Sequence, residues 1–162
     1  MPKQPKPSPL RILNHEFTTI ELHASDAPDP SGELELTTDR RFGIASDDEL
    51  QRYCELTIIF GSIKDGQPAP YSGKITAAGV FQISEDYTEQ RRDQLIEVTA
   101  VSILYGACRE MLANLTARSS HGLLSLPSVS FYDPTSKTAK KATRKTAKKA
   151  AKKATRKTTR KK

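Results

Sequence analysis

A chain of 162 residues with a formal charge of +7 is long enough for one domain with its own core and too short for two ordinary ones. The last 26 residues, Lys137 to Lys162, carry fourteen of the twenty-six Lys and Arg and no acid, which leaves twelve bases against nineteen acids, a net −7, in residues 1–136. That division excludes reading the basicity as one continuous surface, because an acidic body and a basic tail select different partners. The start, Met1 to Pro9, is proline- and lysine-rich without an apolar run, and no later segment has the length of a membrane span, so a secretory signal and an anchor are not expected and a cytoplasmic setting is. Cys54 and Cys108 lie far apart within apolar patterns, the expectation for buried thiols in a reducing compartment rather than a disulfide or a metal pair.

After a flexible lead-in over residues 1–9, Leu10, Ile12, Phe17, Ile20 and Leu22 punctuate a Thr-rich stretch of strand formers that the Asp/Pro/Gly cluster from Asp26 to Gly32 ends. Glu33 to Thr38 alternates strictly, with Leu34 and Leu36 on one face, and Arg52 to Ser62 does the same with Cys54, Leu56, Ile58 and Phe60. Lys64-Asp65-Gly66-Gln67 is turn chemistry, with Gly66 suited to a positive φ. Tyr71 to Ile83 follows as a fourth strand, Gly79 within it marking an expected bulge. Beyond Ser84 the period changes: Val101, Leu104, Cys108, Met111 and Leu115 recur at three and four, predicting an amphipathic helix from about Tyr87 to Arg118 whose opposite face carries Arg91, Arg92, Glu110 and Asn114. Ser119, Ser120 and Gly122 break it, and Leu123 to Phe131 is a short apolar terminal segment. Four strands followed by helices make an α+β fold, a four-stranded antiparallel sheet with helices on one face. Apolar residues near Ile59, Phe60, Val80 and Phe81 fall on both sheet faces; they read either as a filled core or as surface covered by other subunits, with the remainder a functional patch.

The run Ser102-Ile103-Leu104-Tyr105-Gly106-Ala107-Cys108-Arg109-Glu110, continuing through Ala117-Arg118 to Leu124-Ser125-Leu126-Pro127-Ser128-Val129-Ser130-Phe131, resembles the signature of the SecB-type export chaperones, an ILFPYARE-like helix, an SRG-like break and an LNLxPVNF-like ending. Gly79-Val80-Phe81-Gln82-Ile83 is similar to the family's GxFxI strand. The resemblance covers roughly residues 10 to 131 and sets the expected domain at residues 10–134. It implies a long helix and a short C-terminal helix after the sheet, and a homotetramer built as a dimer of dimers. It also implies a cofactor-free, ATP-independent activity: binding unfolded or precursor polypeptides and keeping them export-competent. Such binding needs exposed apolar grooves, in which several weak hydrophobic subsites act in series. The groove candidates are Leu34 and Leu36 on the second strand, Phe60, Phe81 and Ile83 on the sheet, Met111 and Leu115 on the helix, and Leu123, Leu124, Leu126, Val129 and Phe131 at the end. Core packing is the commoner role for each one taken singly; the Leu-Leu-Ser-Leu-Pro run is the preferred groove element. The family docks the translocation ATPase SecA through acidic and apolar residues of the first and fourth strands, where this chain has Thr19, His23, Ser72 and Lys74, with Glu16 and Glu21 nearby. Two or three carboxylates are missing and Lys74 reverses the charge. Gly106 and Ser119 stand where the family has proline and glycine. A SecB-like chaperone attached to a toxin-antitoxin system is the alternative.

The tail repeats basic pairs every four residues: Lys140-Lys141, Arg144-Lys145, Lys148-Lys149, Lys152-Lys153, Arg156-Lys157 and Arg160-Lys161. On a helix this period spirals round the axis and leaves no apolar stripe, so residues 135–162 are expected to be disordered alone. In composition they are similar to linker-histone-like tails. Phosphates of nucleic acid, an anionic membrane surface, the acidic body itself, or no specific partner are the readings. A nucleic-acid-binding protein that uses its body only to oligomerise is therefore a further alternative. Catalysis is not expected. His15, His23 and His121 are scattered without metal-ligand spacing, the glycines form no phosphate-cradling loop, and Arg109–Glu110 reads as a surface pair.

Overall fold

The computed structural model describes residues 7–64 and 66–132; all elements below belong to one unit that ends at Phe131. Four strands form one antiparallel sheet: β1 (Leu10–Ala24), β2 (Leu34–Ile44), β3 (Gln51–Ser62) and β4 (Tyr71–Ile83), in the order β1-β4-β3-β2. The helical run opens with a 3₁₀ turn (Glu89–Arg91), continues as α1 (Arg92–Leu95), widens into a π turn (Ile96–Ala100) and ends as α2 (Val101–Thr116). It packs over β3 and β4, leaving β1 and β2 as the sheet's two edges.

Register explains which side chains meet the helix. Cys54, Leu56, Ile58 and Phe60 of β3 pair with Gly79, Ala77, Ile75 and Gly73 of β4, and the apolar members of that set are buried. On β1 the apolar spacing is irregular, and two bulges correct it. Register shifts between Ile12 and Asn14 and between Phe17 and Thr19 set Ile12, Phe17, Ile20 and Leu22 opposite Phe81, Ala77, Ile75 and Gly73. Each inserted residue flips the strand's parity, so apolar side chains at unequal spacing return to one face. The bulge expected at Gly79 therefore lies in the neighbouring strand. Gly79 itself is in register, and a Cβ there would stand 3.0 Å from the Phe81 ring and 3.3 Å from Leu104 Cδ2, so glycine serves the close approach of α2 to the sheet. Nor does Gly66 adopt a positive φ; its N–H closes the turn on Ile63 O, and among the described residues Gly122 is the glycine with φ near 75°.

β2 runs six residues past the predicted end at Thr38, because Arg40, Phe42 and Ile44 continue the alternation opposite Leu56, Cys54 and Arg52. The helix also departs from the expected single α-helical stripe. Its buried line is Leu95, Ile96, Ala100, Val101, Leu104, Tyr105, Cys108, Leu112 and Thr116. The five-residue steps from Leu95 to Ala100 and Ile96 to Val101 are the span of one π turn, which brings both halves of the rod to face the sheet. Downstream the line passes through Leu112 rather than Met111, which is half-buried, and Leu115 is exposed.

Past α2 the chain folds back without regular secondary structure, and the short second helix does not occur among the described residues. Leu124 and Leu126 point inward and are buried, whereas Leu123 is 61 % exposed. The buried Thr116 hydroxyl donates to Leu112 O (2.7 Å) and accepts from Leu124 N–H (2.8 Å). Tyr71 donates to Gly122 O (2.5 Å), Tyr105 donates to Pro127 O (2.6 Å), and His121 Nε2 lies 2.8 Å from Ser25 O. Thr116→Val keeps the shape but strands the Leu124 N–H, so we expect it to cost about 1–3 kcal/mol in urea denaturation and to raise hydrogen exchange across residues 122–126 first.

Both thiols are free and buried, and desolvation pushes Cys54 and Cys108 up to about 12. For each, the folded state holds a proton that the unfolded state releases near pH 9. This contribution to stability is thus constant below pH 9 and lost progressively between pH 9 and 12. We expect the urea midpoint to fall steeply above pH 9, and thiol-disulfide reagents at pH 8 to react with neither cysteine until the chain unfolds.

Candidate functional site: an open groove beside β2

Along β2 the helix-side residues change character. Leu34, Leu36 and Thr38 are half-buried, the two leucines against the core, whereas Arg40, Phe42 and Ile44 are exposed, Phe42 by 44 % and Ile44 by 64 %. The cause is coverage: the helix lies over the central strands and leaves the far end of the edge strand bare. There a cavity of about 350 Å³ opens between β2 and the start of the helix, lined by Phe42, Gly43, Ile44, Arg52, Asp93, Ile96 and Glu97. A second, of about 390 Å³, is lined by Thr38, Asp39, Arg40, Phe42 and Glu97. Phe42 and Glu97 belong to both, so the two make one depression from Thr38 to Ile44. Its floor is apolar at the Ile44 end and polar towards Thr38, and the π turn supplies its wall through Ile96 and Glu97.

The segments on either side of the Ile44 end are acidic in sequence, and Asp93 and Glu97 line the cavity itself beside Arg52. The β2–β3 loop carries Asp47, Asp48 and Glu49, and the segment leading into α1 carries Glu85, Asp86, Glu89 and Asp93, seven carboxylates against Arg52, Arg91 and Arg92. The two segments meet where Ile83 N–H donates to Leu50 O. The Arg52 guanidinium is drawn to Glu49 O, and the buried Nε of Arg92 has no hydrogen-bond partner. At the opposite end of the exposed stretch, Phe131 packs edge-on against Tyr105 at 5.6 Å, with the Arg40 guanidinium 5.7 Å from its ring centre. Burial raises the pKa of Tyr105, Arg109 partly opposing it, and keeps that phenol a donor.

The structure sorts the sequence candidates into three groups. Phe60, Phe81, Ile83, Leu124 and Leu126 are core of the single subunit, because the register turns them under the helix or the returning segment, and they have no free surface for a client. Leu34, Leu36, Met111 and Phe131 are half-buried against that core. Leu115, Leu123 and Val129 are exposed. Phe42, Ile44, Ile96 and Glu97 escaped sequence reading. The signal for Phe42 and Ile44 was the period-two alternation running on through Asp39-Arg40-Arg41.

The five SecA-facing candidates come together on the opposite face of the sheet, where Thr19 pairs with Thr76, Glu21 with Lys74 and His23 with Ser72. That face is polar. Thr57 and Thr76 hydroxyls lie 3.0 Å apart, Tyr53 donates to Glu55 at 2.9 Å, and Arg41 meets Glu55 at 3.5 Å, with Ile59 exposed beside them. The basic pairs from Lys140 to Lys161 lie outside the described residues. Among the described residues no three His, Cys, Asp or Glu side chains gather as metal ligands, and no helix is long and apolar enough to cross a membrane.

A four-stranded antiparallel sheet followed by one long helical run is the SecB-like fold. The chain is similar to the Mycobacterium tuberculosis Rv1957 SecB-like chaperone, solved in complex with a ChAD peptide from the Rv1956 HigA1 antitoxin. The TM-score is 0.58 at 16 % identity, over 75 % of this chain and 90 % of that one. A protein of unknown function from Streptococcus agalactiae overlaps 74 % of this chain and 97 % of its own at 15 % identity, with a TM-score of 0.37. No family model and no curated protein matches the chain.

Proposed function

We propose that this protein is a SecB-like holding chaperone, which binds non-native polypeptides without nucleotide hydrolysis. The observation that carries the reading is the depression beside β2, where Phe42 and Ile44 remain open to water on a fold shared with a chaperone. Exposed apolar side chains at the edge of a sheet are costly unless covered by a partner, and burying one of about this size contributes roughly 1.5–3 kcal/mol. Several such contacts in series hold an extended chain of almost any sequence.

Two client classes fit. In the first, precursor chains are held for export, and the polar face around Glu21 and Lys74 meets a translocation motor such as SecA. The solved complex of Rv1957 with an antitoxin peptide favours the second, in which the groove holds a short segment of an antitoxin-like protein. Assembly as a tetramer of paired dimers belongs to either. In both readings the tail from about residue 135 binds polyanions, nucleic acid or an anionic membrane surface, through salt-sensitive contacts.

The test compares the full chain with one ending at Ser136 in an aggregation assay on a slow-folding client, alongside DNA binding at two salt concentrations. Aggregation suppression at stoichiometric chaperone is expected from both chains, and DNA binding from the full chain alone. If neither chain slows aggregation, the holding function is refuted.

A further inference from the structure

We propose, resting on the holding function above, that the basic residues 137–162 are a second client site, which takes an acidic stretch of the same non-native polypeptide whose apolar stretch sits in the depression. This part of the sequence consists of Lys, Arg, Ala and Thr alone, with fourteen bases and no acid. It has no aromatic or amide side chain to read nucleic-acid bases and no bulky apolar one to anchor in a membrane interface. It therefore selects for density of negative charge and nothing finer.

The point of attachment decides which anion it meets. Phe131, the last residue of the body, stands 5.6 Å from the Tyr105 ring, with the Arg40 guanidinium 5.7 Å from its own ring centre. Arg40 in turn lines the polar half of the depression. The chain thus leaves the body beside the cationic end of the groove, and six residue steps separate Phe131 from Lys137, at most about 20 Å of backbone. A client whose apolar stretch covers Phe42 and Ile44 brings its neighbouring residues past Arg40, within that reach. A link so short sets the second contact at an effective concentration of the order of millimolar, so individually weak contacts at the two sites act as one binding event.

The body alone is unsuited to acidic clients. Residues 1–136 carry −7, and the two cavities are lined by Asp39, Asp93 and Glu97 against Arg40 and Arg52. Like charge disfavours acidic chains both in encounter and in contact. Fourteen added bases bring the whole chain to +7 and extend holding to polypeptides in which an apolar stretch adjoins a run of Asp or Glu.

The probes are fluorescent peptides: an apolar octapeptide joined to ten glutamates at one terminus or the other, the same octapeptide joined to ten glutamines, and the glutamate block alone. They are titrated into the full chain and into a full-length variant in which every Lys and Arg from 137 to 162 is glutamine. At low salt the tighter of the two joined glutamate peptides should bind the native chain at least about tenfold more tightly than the variant, and the advantage should collapse at high salt. The glutamine peptide should bind both proteins within about twofold. If the joined glutamate peptides bind both proteins alike while the glutamine peptide is held, the second client site is refuted and the holding function stands. A glutamate block that binds the native chain as tightly alone as when joined refutes joint capture. So does loss of the advantage to a short DNA duplex at matched charge, which would make nucleic acid the occupant. If the glutamine peptide binds neither protein, the holding function falls, and this proposal with it.

Discussion

Replacing Phe42 and Ile44 together by serine is expected to weaken client binding by about a hundredfold and leave the fold intact. The two side chains lie in the depression and are 44 % and 64 % exposed, so neither carries much of the subunit's own stability, and surface changes of this kind stay within about 0.5 kcal/mol. A client that buries its apolar side chains against them loses roughly 1.5 kcal/mol at each position, and about 3 kcal/mol in total is a factor of a hundred or more in Kd. Titration of permanently unfolded lactalbumin reads the binding, and urea denaturation of the same variant checks the fold. The control is Leu115→Ser, exposed on the helix and away from the depression's lining, for which binding should change by less than about threefold. Equal losses in the two variants would place the client elsewhere.

Gly73→Ala is expected to be the most damaging single methyl in the sheet. A Cβ at that position would overlap the carbonyl of Glu21 in β1 and stand 3.1 Å from the Phe60 ring. The overlap is with backbone, and no rotamer change relieves it. Either β1 moves away from β4 or the ladder between Leu22 and Gly73 opens. Overpacking costs of 1–3 kcal/mol are typical where side chains can yield; against a carbonyl we expect about 3 kcal/mol or more, a large part of a small domain's stability. Chemical denaturation gives the cost. Hydrogen exchange should show β1 opening before the β3–β4 pair. Gly106→Ala, at a helix position whose Cβ would meet nothing within 4 Å, should instead stabilise by up to about 1 kcal/mol through helix propensity.

How much of this was legible differs from element to element. The four strands, apart from the far half of β2, and the α+β order followed from alternation and punctuation, because period two and period 3.6 are written directly in the apolar residues. The bulges of β1 were not legible. Unequal spacing among Leu10, Ile12, Phe17, Ile20 and Leu22 says that parity changes somewhere, while the site of the change is set by the partner strand. The far half of β2 was hidden by its charges: Asp39-Arg40-Arg41 resembles a loop until the pairing with β3 shows two of them on the outer face. That omission cost the groove its principal residues. Leu124 and Leu126 misled in the opposite direction, since an apolar run at a chain's end looks available, whereas the Thr116 hydroxyl and the Tyr71 and Tyr105 phenols hold that run against the body. Met111 and Leu112 are neighbours in sequence, and only the phase in which α2 seats on the sheet decides which of them is buried.

The widened turn at Ile96–Ala100 separates two tasks along one rod. Downstream of it, the phase of α2 is locked by the sheet; upstream, α1 and the groove wall follow from a single surplus residue. Deleting one residue there would swing the upstream stretch by about 100° about the helix axis, turning Ile96 and Glu97 away while Leu104, Cys108 and Leu112 kept their seats. A one-residue length change is thus a dial that re-tools the clasp and spares the chassis.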